Sequence, residues 1–103
     1  MCLATILVTQ AALSHAAEFW SDKTTITQLY PHGAGFTFIV QYSSTLSTCG
    51  GNRWALSLAN PNYKALAASL MLAYSLGQQI QIHVNDQPAS CEPEVDRFIV
   101  YKP

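Results

Sequence analysis

A chain of 103 residues has room for one domain, and half of its residues are hydrophobic. That apolar share excludes a disordered chain. With 5 basic against 6 acidic residues and a net charge of -1, it lacks the basic stripe that phosphate neutralisation needs, which argues against a nucleic-acid partner. No apolar run reaches the length of a bilayer span.

Residues 1–16 read as a probable signal peptide. Leu3, Ala4, Ile6, Leu7 and Val8, then Ala11, Ala12 and Leu13, form an apolar body, and Ser14-His15-Ala16 fits a small-x-small cleavage pattern. No Lys or Arg precedes this body, so a buried helix is the alternative. Cleavage makes residues 17–103 the mature domain, secreted or periplasmic. It also removes Cys2 and leaves Cys49 and Cys91, which in an exported domain read as one disulfide. Zinc is the weaker reading, because His15, His32 and His83 are dispersed and the cysteines are not closely spaced. A thiol nucleophile is weaker still, since neither cysteine has a basic neighbour to lower its pKa. No metal or cofactor is expected.

Along the mature chain, Thr24 to Tyr30 is a β-branched strand stopped by Pro31-His32-Gly33. Phe36, Phe38, Val40 and Tyr42 alternate with Thr37, Ile39 and Gln41, giving the second strand. A polar connection leads to the third, where Trp54, Leu56 and Leu58 alternate with Arg53, Ala55 and Ser57; Trp54 is assigned to the core and Arg53 outward. Asn60 as N-cap and Pro61 at the first helical position open a helix that Gly77 ends. Gln79 to Val84 is the fourth strand, with Ile80, Ile82 and Val84 on one face and His83 on the polar, solvent-facing one. A loop with two prolines precedes the last strand, Arg97 to Tyr101.

Mainly β with one helix, in the order β-β-β-α-β-β, is the arrangement of a five-stranded OB-fold barrel; a two-layer α+β sandwich is the competitor. In the OB barrel the third and fifth strands run parallel and close the sheet. Cys49 and Cys91 lie just ahead of those two strands, where a disulfide staples them. The inward stripe of the helix is Tyr63, Leu66, Ala67, Leu70 and Tyr74. Lys64 is the one charge between Asn60 and Leu76. The outward residues Ala65, Ala68, Ser69, Leu72 and Leu76 therefore form a candidate oligomer interface, against the alternative of an Ala/Ser-rich face that water tolerates.

Two blocks of residues resemble a known family. Pro61-Asn62-Tyr63-Lys64-Ala65-Leu66, then Gly77-Gln78, then Ile80-Gln81-Ile82-His83-Val84 is similar to the subtilase cytotoxin B-subunit family, OB-fold B subunits of AB5 toxins. Phe19-Trp20-Ser21-Asp22 resembles the aromatic-aromatic-Ser-Asp near that family's mature start, and Ile26-Thr27-Gln28-Leu29 its first strand. The resemblance implies a secreted, non-enzymatic, carbohydrate-binding B-subunit-like module. It also implies a homopentamer that binds sialylated or related cell-surface glycans, and admits an enzymatic A subunit as a further partner. The family's glycan-contacting serine falls on Ser21 and its aspartate neighbour on Asp22, with Trp20 available to cover an apolar sugar face. A Ser-Asp pair ahead of a strand is equally a turn cap. His32, in the first hairpin, borders the candidate site or merely solvates its turn.

No Gly-x-Ser-x-Gly elbow supports a hydrolase. Glu92, Glu94 and Asp96 form an acidic cluster without a calcium-loop pattern. A secreted or periplasmic OB-fold protein-interaction module without sugar specificity is the alternative function.

Overall fold

The computed structural model describes residues 18–102; the expected leader, with Cys2 and His15, lies outside them. The described chain is mainly β with one helix. Its strands are β1 (Phe19–Trp20), β2 (Thr24–His32), β3 (Gly35–Val40), β4 (Arg53–Ser57), β5 (Gln79–Val84) and β6 (Arg97–Val100), with α1 (Tyr63–Leu76) between β4 and β5. They form one six-stranded antiparallel sheet that is not closed.

β5 is the hub of the sheet. Phe19 and Trp20 pair with Val84 and His83, Thr24 and Thr25 pair with Ile80 and Gln79, and β6 takes the other edge from Val100 to Arg97. β2 then pairs with β3, and β3 with β4. β2 continues through Pro31 and His32, past the stop expected at Pro31. Beyond Thr25 its one strand partner is β3, and such an edge strand tolerates proline. The hairpin turns at Gly33 and Ala34 and returns at Gly35, whose φ is 132°. A Cβ at Gly35 would run into the Leu56 carbonyl oxygen of the neighbouring strand, so only glycine fits there.

The alternation expected of β3, β4 and β5 is what the core uses. Phe38, Trp54, Leu56, Ile80, Ile82 and Val84 are fully buried, and Phe19 stacks on Trp54 with ring centroids 5.8 Å apart. Leu58 falls beyond β4 and is exposed, while Val95, which no expected strand included, belongs to the core.

The helix starts later than its sequence suggests. Asn60 and Pro61 form a turn in which Tyr63 N–H donates to the Asn60 carbonyl at 2.9 Å, and Asn60 Oδ1 accepts from Asn62 N–H at 2.8 Å. Pro61 thus sits at the turn position its fixed φ suits. Asn62 is the N-cap and makes no side-chain cap bond. Gly77 ends the helix in the left-handed region at φ 67°, with Gln78 N–H reaching the Ala73 carbonyl and Gly77 N–H that of Tyr74. The inward stripe includes Ala73 in place of Tyr74. Both positions flank Leu70 on a helix, but the methyl of Ala73 lets α1 lie close to the sheet, while Tyr74 keeps its hydroxyl near water.

Parallel contacts join β4 and its approach to the segment leading into β6. Ser47 bridges Ser90, and Ala55 bridges Glu94, with Ala55 N–H donating to Pro93 O and Val95 N–H to Ala55 O, both at 2.9 Å. The Cys49–Cys91 disulfide lies beside the first bridge, with Cα atoms 4.6 Å apart. No ladder joins β4 and β6 themselves; α1 packs against both, and against β2. No described helix is long and apolar enough to cross a membrane.

Candidate functional site on the outer face of β1, β5 and β6

The face of β5 opposite the core carries Gln81 and His83. Pairing sets Trp20 and Arg97 on either side of His83, so that three strands contribute one row. The Trp20 ring meets the imidazole edge-on at 4.4 Å between centroids, and the Arg97 guanidinium lies 5.7 Å from the indole centroid. This cover explains why His83, expected at the surface, is fully buried. Its Nδ1 lies 2.5 Å from Asp96 Oδ1, and Arg97 Nη1 donates to Asp96 Oδ2 at 3.2 Å. On the other side Glu18 Oε1 approaches Nε2 to 3.3 Å. That is ion-pair range, yet its angle leaves Nε2 without a hydrogen-bond partner.

The next row is held by Gln81, whose Nε2 donates to Ser21 O at 2.9 Å while its Oε1 accepts from Tyr101 OH at 2.6 Å. Lys23 Nζ lies 4.2 Å from the centre of the Tyr101 ring. The surface thus pairs each of two aromatic rings with a cation, a contact worth about 0.5–1 kcal/mol where exposed. Trp20 remains 39% exposed, a half-open aromatic plate among charged and amide groups.

Of Trp20, Ser21 and Asp22, Trp20 is the one whose side chain lies on this face. Ser21 is buried, and its hydroxyl donates to Asp22 O at 2.7 Å and accepts from Ile82 N–H at 2.9 Å. Both capacities are therefore used within the fold, and the serine joins β1 to β5. Asp22 is exposed beside it. His32 does not join them. It lies at the opposite end of β2 from Thr24, roughly 25 Å along the strand at about 3.3 Å per residue. There His32 Nδ1 accepts from Ala34 N–H at 3.2 Å, which leaves Nε2–H to donate to Thr37 Oγ1 at 3.0 Å. Thr37 Oγ1 donates to Glu92 Oε1 at 2.8 Å, and Arg53 Nη2 meets Glu92 Oε2 at 2.6 Å. This second network fixes the disulfide-bearing segment to β2, β3 and β4. Partial burial alone would raise the Glu92 pKa, but hydrogen bonds from Thr37 and Arg53, with the charge of Arg53, outweigh it and hold the carboxyl below its ordinary value.

Glu18, His83, Asp96 and Arg97 are the site residues that sequence reading missed. The two-residue period put His83 beside Gln81 on the outer face. What covers that face is set by β1 and β6, and a two-residue strand such as β1 has no period to detect. Among the described residues no cluster of three or more His, Cys, Asp or Glu is set to hold a metal ion. No protein-family model, curated protein or solved structure matches this chain.

Proposed function

We propose that this chain is a secreted or periplasmic, non-enzymatic glycan-binding module of the OB-barrel, toxin B-subunit type, with sialylated or related glycans as its ligands. The observation that carries the reading is Trp20, a half-exposed indole with the Arg97 guanidinium 5.7 Å from its ring centroid. A sugar offers an apolar C–H face rimmed by hydroxyls. An aromatic plate beside a guanidinium is complementary to both parts, and the cation suits an acidic sugar. Ser21 acts here as the residue that seats Trp20 and Asp22. The parallel contacts of Ala55 with Pro93 and Val95 lie where the third and fifth strands of an OB barrel would meet, which supports that assignment. The disulfide suits an oxidising compartment.

A single shallow site of this kind binds weakly, and a homopentameric ring would multiply it through avidity. An enzymatic A subunit would be an additional partner of such a ring. The expected result on a glycan array is binding that falls at least about tenfold in Trp20→Ala and in Arg97→Ala, the loss of about 1.4 kcal/mol of contact energy. Unchanged binding in both variants would remove the assigned face. A second reading, a protein-interaction module without sugar specificity, is favoured by the exposed apolar side of α1, where Leu72 and Leu76 are 57% and 58% exposed. A blank array from a chain that still self-associates would select it.

A further inference from the structure

Two segments converge on the imidazole of His83 in β5. Glu18, just ahead of β1, and the ring of Trp20 approach from one side; Asp96 and Arg97 approach from the start of β6. Both ring nitrogens face carboxylate oxygens, Nδ1 at 2.5 Å and Nε2 at 3.3 Å. A neutral imidazole has one N–H and one lone pair, so it satisfies one carboxylate and turns the lone pair towards the other. An imidazolium has two donors and satisfies both.

The two carboxylates are not held equally. Asp96 is fixed by Arg97 and by its own N–H, which donates to His83 O at 3.1 Å. Glu18 is exposed, precedes a two-residue strand, and completes no hydrogen bond to the ring. When only one carboxylate is served, Glu18 is the one released.

We propose that His83 is a proton-operated latch that holds β1, and with it the Trp20 plate, against β5. Protonated, the ring draws in Glu18 and seats Trp20; neutral, it keeps Asp96 and loosens the Glu18 end of β1, which Ser21 and Phe19 still tether to the sheet. The charged groups facing the ring are Glu18 from the β1 side and Asp96 and Arg97 from the β6 side, and β5 carries no charged side chain near it. Because the latched form binds the extra proton, linkage makes attachment of β1 strongest at acid pH and weaker as pH rises. No ligand takes part, so the latch stands or falls independently of sugar binding.

The Ser21 amide reports it directly, since its N–H donates to Ile82 O at 2.9 Å across the β1–β5 junction. Hydrogen-exchange protection of Ser21 is measured on the full chain from about pH 8 to about pH 5. Trp20 emission is taken in parallel as the difference between the chain and its Trp20→Phe variant, in which Trp54 alone emits. Ser21 protection is expected to rise several-fold towards acid pH, in step with one emission transition. Glu18→Gln, a change at an exposed side chain, should abolish the pH dependence of Ser21 protection, and His83→Gln should abolish the emission transition. Protection that is flat with pH in the unmodified chain would overturn the latch, as would a rise that persists in Glu18→Gln. The exposed position of Glu18 keeps the test valid where His83→Gln does not fold.

Discussion

At the scale of single residues, buried polar side chains hold the molecule's segments together. Ser21 spends its hydroxyl on joining β1 to β5, and Thr37 passes a hydrogen bond from His32 to Glu92. Glu92 couples stability to pH, because its lowered pKa means that the folded state favours its charged form. Its contribution is therefore complete above the unfolded carboxylate range and is lost as pH falls through the folded value. Thermal melts of Glu92→Gln should show a lower Tm than the parent at neutral pH and converge with it in acid. The cysteine pair, Trp54 in the core and the glycine at position 77 were all legible from residue type and spacing. The buried state of His83 was not, because nothing within β5 records that Trp20 and Arg97 will cover it.

At the scale of elements, α1 has the least balanced surface. Ala67, Leu70 and Ala73 face the sheet, while Met71, Leu72, Tyr74 and Leu76 stand more than two-fifths exposed and no charge lies beyond Lys64. Ala65, Ala68 and Ser69 are exposed beside them. Small residues next to leucines form the kind of face that packs against another copy, in keeping with the ring proposed above. Light scattering at micromolar concentration should report an oligomer that Leu72→Asp or Leu76→Asp disperses, with Tm changed little, because neither side chain enters the core. A monomeric parent chain would remove the ring. The strand alternation in β3, β4 and β5 and the Gly77 stop could be read directly, since each depends on a repeat or a backbone conformation local to the segment. The helix start shifted because Asn60 and Pro61 suit a turn as well as a cap, and contact of Asn60 with the Val95–Asp96 backbone chose the turn.

At the scale of the whole molecule, the sheet stays open, and the gap between β4 and β6 is spanned by backbone bridges, α1 and one disulfide. The Cys49–Cys91 bond closes a sequence separation of 42, which the chain-entropy model values at about 4 kcal/mol. That is a large share of the stability of a small domain. Cys49→Ser/Cys91→Ser should lower the denaturant midpoint by a corresponding amount, measured against the oxidised parent. A difference under about 1 kcal/mol would show that the bridges and the Thr37–Glu92–Arg53 network suffice.

The sequence by itself determined the class of the fold, the order of its main elements, the pairing of its cysteines and the inner faces of three strands. Those features follow from side-chain period, turn chemistry and composition, which act within a few residues or on the chain as a whole. Only the tertiary structure decided that Phe19–Trp20 is a strand, that Ser21 and His83 are buried, and that Ala73 rather than Tyr74 faces inward. It also separated His32 from Trp20 by the length of β2. Each of these depends on which segment lies across the sheet from which, and that choice is made by contacts between residues up to some sixty positions apart.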